Sequence, residues 1–136
     1  MKVFVKDRTY LAEPGSYFKD SVKIDGDFIV PPKTQFWKDL VVIGHLSLGV
    51  CSRIGGNVTC NGAVISCGCL IEGELNSGFE QLTVCDNAKV RVIHSKGNVL
   101  LRPGIISDEV YGNNILVMGK IHCGKLMGKN TRVITH

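Results

Sequence analysis

Phe28, Leu46, Val64, Leu82, Leu100 and Met118 follow one another at 18-residue intervals, so a single apolar register runs through most of this 136-residue chain. A fixed period of that size marks a coil that repeats, each turn burying its apolar side chains against the turns on either side. A short motif supports the register. Apolar-x-Gly-x-apolar recurs as Ile24-Asp25-Gly26-Asp27-Phe28, Val42-Ile43-Gly44-His45-Leu46 and Cys60-Asn61-Gly62-Ala63-Val64, again 18 apart. Ile54-Gly55-Gly56-Asn57-Val58 and Ile71-Glu72-Gly73-Glu74-Leu75 lie elsewhere on the coil, one residue short of the period, and Val117-Met118-Gly119-Lys120-Ile121 falls out of register. Alternating apolar residues about a Gly read as two short strands meeting at a tight bend, because Gly reaches backbone angles that other residues resist.

The periodicity predicts an all-β fold, a single-stranded parallel β-helix of six coils beginning near Val22, Leu40, Val58, Asn76, His94 and Gly112. Turn signals at Pro31-Pro32, Asn76-Ser77-Gly78, Arg102-Pro103-Gly104 and Gly112-Asn113-Asn114, with no sustained helical period, predict two or three strands per coil and almost no helix. Side chains of a strand alternate in direction. The inward positions are therefore read as Val22, Leu40 and Val58, the Phe28 to Met118 column, and Leu70, Ala88 and Ile106. Residues 1–21 form a lead-in strand or cap, 22–126 the β-helix, and 127–136 a second cap or tail. Coils stacked at about 4.8 Å would make the stack roughly 25 to 30 Å long.

With 44% apolar residues and no dividing polar stretch, the chain is one domain. Its 16 Lys and Arg against 12 Asp and Glu leave a net charge of +4, too mild and too evenly spread to announce a nucleic-acid partner. No run of 18 apolar residues or signal-peptide stretch is present, which makes the cytoplasm the default compartment and reduced thiols the default state of the six cysteines.

Candidate chemistry centres on those cysteines. Cys51 and Cys69 are 18 apart, as are Cys67 and Cys85, and Cys67-Gly68-Cys69 places two thiols on one strand face. Cys67, Cys69 and Cys85, with His122, are the candidate metal ligands; ladders without chemistry and redox use are the other readings. No cofactor is implied. His45 and His94 fall about three coils, roughly 14 Å, apart. One subunit therefore cannot gather the three-His zinc site of a carbonic anhydrase built on a left-handed β-helix. A hexapeptide-repeat acyltransferase is suggested by Leu40, Leu46, Val58, Val64 and Leu70, yet Val41, Ser47, Thr59, Ile65 and Ile71 follow them where that family favours small or acidic residues. No His is placed as a general base, and no phosphate loop, Ser-His-Asp set or carboxylate pair is present. A β-helix enzyme of either type, or a metal-binding solenoid, is the alternative function.

The ends of a solenoid expose strand edges that pair with another copy unless a cap covers them. Val22, Ile24, Phe28 and Val30 at one end, and Met118, Ile121 and Leu126 at the other, are the candidate contacts. The repeated units resemble the bactofilins, polymer-forming cytoskeletal proteins of bacteria and some archaea. Arg53-Ile54-Gly55-Gly56-Asn57-Val58 through Val64-Ile65 to Leu70-Ile71-Glu72-Gly73-Glu74-Leu75 carries the resemblance, which covers roughly residues 20 to 125. It implies a right-handed β-helix that assembles end to end, head-to-head or head-to-tail, into nucleotide-independent filaments, often at the membrane or cell envelope. Met1-Lys2-Val3-Phe4-Val5-Lys6 is then a cap strand or a weak membrane-touching segment. The resulting expectation is a non-enzymatic structural protein whose partner is itself.

Overall fold

Three β-faces wind around one apolar core in the computed structural model, which describes residues 3–134. An opening strand β1 (Val3–Lys6) precedes the first coil, made of β2 (Thr9–Ala12), β3 (Tyr17–Phe18) and β4 (Val22–Ile24). These strands begin a long, a short and a middle face respectively. The second coil repeats them as β5 (Asp27–Val30), β6 (Gln35–Phe36) and β7 (Leu40–Val42), and the third as β8 (His45–Leu48), β9 (Arg53–Ile54) and β10 (Val58–Cys60). After β11 (Gly62–Ile65) the short and middle strands fuse into β12 (Leu70–Ser77), and after β13 (Leu82–Val84) into β14 (Lys89–Ser95). From β15 (Asn98–Leu101) the chain enters β16 (Ile106–Met118) and β17 (His122–Ile134), each running through all three faces. The described residues contain no helix.

Every pairing after the first hairpin is parallel and joins one coil to the next. On the long face Tyr10, Phe28, Leu46, Ala63, Leu82, Val99, Ile115 and Thr131 stack in register. On the middle face Val22, Leu40, Val58, Leu75, Ile93, Val110 and Leu126 do so. The long-face steps are therefore 18, 18, 17, 19, 17, 16 and 16 residues, which gives about seven turns where the constant period gave six. The stack also exceeds the bounds read from the period: β2 already pairs with β5, and β17 continues the faces to Ile134.

The changes in length arise at the bends, and they correct the inward columns. Asn61 alone joins β10 to β11, where Asp25-Gly26 and Ile43-Gly44 join the earlier pairs. One residue fewer reverses the direction of every side chain that a constant period would place. Phe28, Leu46 and Leu82 are fully buried as expected, but Val64 is 36% exposed and Ala63 takes its inward place. Leu100 and Met118 likewise turn outward beside inward Val99, Leu101 and Val117. Leu70 and Ile106 also point outward, next to buried Ile71 and Ile105, whereas Val22, Leu40 and Val58 stack as read.

The core is a column of fully buried Leu, Ile, Val and Phe, each stabilising the fold by roughly 1.5 to 3 kcal/mol over its exposed state. Near the first coils Phe18 stacks on Phe36 at 4.8 Å, and Phe28 meets Phe36 edge-on at 6.2 Å. At the bends, side chains of one coil cap backbone donors of the next. Asp27 accepts from the His45 N–H at 2.8 Å, Asp39 from Asn57 at 2.7 Å, and Asn57 from Glu74 at 2.9 Å. Gly44 is required at its bend, since a Cβ there would stand 2.5 Å from the Gly26 carbonyl oxygen of the coil before.

Long and short faces are joined by four-residue turns whose third residue has positive φ: Gly15, Lys33, Cys51, Gly68, Asn87 and Gly104. Pro14, Pro32 and Pro103 occupy the second position, and in several turns the fourth N–H bonds the first carbonyl, as Ser52 does to Gly49. This is the signature of a type II turn. The fourth side chain points inward, and at Thr34 and Ser52 its hydroxyl donates to the Pro31 carbonyl, so these two buried hydroxyls are satisfied.

Candidate assembly interface

The two ends of the solenoid differ. At the first coil the two-residue turn Asp7-Arg8, with φ of 51° and 63°, folds β1 back antiparallel onto β2. Paired positive φ values are what a type I′ hairpin needs. With Val3 packed against the core, the inward residues Ala12, Ser16, Phe18 and Ile24 are only 6 to 8% exposed. The apolar cross-section is closed there. What remains open is backbone: among the described residues β3 and β4 have strand neighbours on one side only.

At the other end, among the described residues, β17 pairs with β16 alone and offers a 13-residue edge. Ile121, Cys123 and Leu126 pack on the core but stay half-buried, and Met127 and Val133 are 51% and 57% exposed. Lys120, Lys125, Lys129 and Arg132 all lie in this last coil, with no Asp or Glu between residues 119 and 134. Residues 1–30 hold five carboxylates, Asp7, Glu13, Asp20, Asp25 and Asp27, balanced by Lys2, Lys6, Arg8, Lys19 and Lys23. One end is therefore open, partly apolar and basic, and the other is closed and balanced in charge.

Of the contact residues read from the sequence, Ile121 and Leu126 occupy the open end, and Val22 and Ile24 occupy the first rung of the middle face. Phe28 and Val30 do not reach the end. β2 covers the strand that holds them, and they are 0% and 3% exposed. Met118 sits one rung inside its end, on the strand that pairs with β17. Cys123, Met127, Val133 and the four cations were missed. A count of charge by segment would have found the cations, since the chain's whole net charge of +4 equals theirs. Met1 and Lys2 of the first segment lie outside the described residues; no helix among those described is long and apolar enough to cross a membrane.

The thiols sit along the stacked turns, but Cys67 and Cys69 do not share a face. Gly68, with φ of 69°, interrupts the strand alternation, leaving Cys67 exposed and Cys69 1% exposed with its Sγ donating to the Gly49 carbonyl at 3.1 Å. Burial pushes the Cys69 and Cys60 thiols up to about 11. Burial, with nearby Cys67, also raises half-buried Cys85. Such groups remain protonated and weakly nucleophilic at neutral pH. Among the described residues no three His, Cys, Asp or Glu side chains gather as metal ligands would. His45 stands on the long face, His94 on the middle face stacked at 4.8 Å on Tyr111, and His122 on the short face of the last coil, far along the stack from Cys67.

Compared with known proteins, the chain matches no family model, no curated protein and no solved structure.

Proposed function

We propose that the protein is a non-enzymatic structural element whose subunits add end to end into filaments without a nucleotide. The observation that carries this reading is the last coil: a complete three-face rung with an unpaired edge and half-exposed apolar side chains. A solenoid rung in that condition lacks only the next rung. Repulsion between two basic last coils favours head-to-tail joining, in which Lys120, Lys125, Lys129 and Arg132 meet a neighbour's charge-balanced first coil instead of four like charges. A head-to-tail contact that continues the stack along its own axis does not close into a ring, and its product is a filament. The resemblance to bactofilins agrees with assembly of this kind, in the cytoplasm or along a membrane or envelope.

Negative-stain electron microscopy of the purified protein over a concentration series tests the reading. Filaments one solenoid wide should lengthen with concentration. Discrete single particles at every concentration and salt would overturn it.

A further inference from the structure

The chain's one tryptophan is not in the core. Trp37 is 58% exposed on the side of the solenoid, and Tyr17, 48% exposed on the preceding rung, stands beside it with ring centroids 6.3 Å apart and planes tilted by 31°. Leaving two large rings in water forgoes burial that the adjacent Phe18 and Phe36 obtain, so their position calls for a partner. Two shallow depressions flank Trp37. One is lined by Tyr17, Lys33 and Gln35, the other by Gln35, Arg53 and Glu72. Gly55 holds the next rung below Trp37 and brings no side chain, which keeps the second depression open.

We propose that this patch binds an acidic polysaccharide, a chain of pyranose rings bearing carboxylates. A pyranose presents an apolar C–H face and a rim of hydroxyls. Tyr17 and Trp37 suit the first, and the Gln35 amide and the Arg53–Glu72 pair, joined at 2.5 Å, suit the second. Charge selects the acidic class: Glu72 is held by Arg53, whereas Lys33 enters no ion pair among the described residues and Lys19 lies 5.9 Å from the Tyr17 ring centre. A peptide fits less well. Peptides laid on a sheet take main-chain hydrogen bonds from a free edge; the free edge of β3 looks along the solenoid axis, and beside the depressions the Trp37 N–H already bonds the Phe18 carbonyl at 2.9 Å and the Gly55 N–H the Phe36 carbonyl at 2.7 Å. Only side chains face outward, arranged along the solenoid axis over three successive rungs, Tyr17, Gln35 and Arg53. The site begins on the first rung, β3, but its side chains face outward from the flank of the solenoid, so it does not need a second copy.

Because Trp37 is the only tryptophan, its emission reports on the site directly. The full chain is titrated with oligogalacturonate, with neutral cellohexaose and with a decaproline peptide, and affinities are checked by calorimetry. Oligogalacturonate should shift the emission saturably and bind more weakly at high salt. Trp37→Ala and Tyr17→Ala should each weaken binding by calorimetry about tenfold or more. Lys33→Gly, which suits the positive φ of 60° at that position, should reduce affinity and remove much of the salt dependence. No saturable binding of oligogalacturonate, unchanged affinity in Trp37→Ala, equal binding of cellohexaose at all salt concentrations, or a preference for decaproline would each overturn the proposal.

Discussion

Leu126→Asp should abolish assembly while sparing the fold. At the open end Val133 has more than half of its burial still to gain, and Ile121, Cys123 and Leu126 each have a smaller part. At roughly 1.5 to 3 kcal/mol for a whole side chain, completing it contributes roughly 2 to 4 kcal/mol. About half of the backbone groups of β17 face outward, and six or so new strand bonds at about 0.5 to 1.5 kcal/mol each add roughly 3 to 9 kcal/mol. Association costs about 4 to 15 kcal/mol in lost freedom. Gains and cost nearly cancel, so a single end contact should be weak, with Kd roughly in the millimolar range. An Asp at position 126 removes one apolar contact and places a carboxylate where water is excluded. A loss of about 3 kcal/mol or more is expected, raising Kd by over 100-fold. Sedimentation velocity over a concentration series measures the shift, with circular dichroism to confirm an intact β-fold. The reasoning is refuted if the folded variant assembles over the same concentrations as the parent chain.

Three further outcomes bear on the fold itself. Gly44→Ala should destabilise by roughly 1 to 3 kcal/mol in urea unfolding, since its Cβ would press on the Gly26 carbonyl, a backbone atom that cannot swing away; an unchanged midpoint would show that the coils are not in such close contact. Cys51→Gly should stabilise by about 0.5 to 1 kcal/mol, because relief of a left-handed conformation worth about 1 to 2 kcal/mol outweighs the added freedom of the unfolded chain. Gly68→Ala, the reverse change on the next turn, should lower the midpoint. Between about pH 9 and 11 the folded state holds protons on Cys60 and Cys69 that the unfolded chain has released, so stability should be flat up to about pH 8 and fall through that window. Urea midpoints at pH 7.5 and 10 measure the fall, and Cys60→Ala should reduce it.

The candidate site was legible only in part, for a physical reason particular to strands. Ile121 and Leu126 were found because terminal apolar residues of a repeat are exposed by definition. Phe28 and Val30 were misplaced because Thr9–Ala12 carries no repeat motif and its pairing with β5 is a long-range fact. Cys67 and Cys69 obey alternation in an extended strand and lose it at a residue with positive φ. Nothing in the spacing C-G-C distinguishes the two cases.

By itself the sequence determined that the chain is all β, that it winds as a solenoid, and that its mean coil is near 18 residues. Gly at the bends and alternating apolar residues are local requirements of each rung, met wherever a rung occurs. The 17-residue spacing of Ile54 and Ile71, visible as an anomaly, is a true short coil. Tertiary structure alone decided which side chain of each pair faces inward after the third coil, where Ala63 replaces Val64 and Val99 replaces Leu100. It also decided that the first coil is closed by β1 while the last remains open. A period fixes an average, whereas side-chain direction has a period of two, so a single residue gained or lost at a bend changes inside to outside without disturbing the pattern that announces the fold.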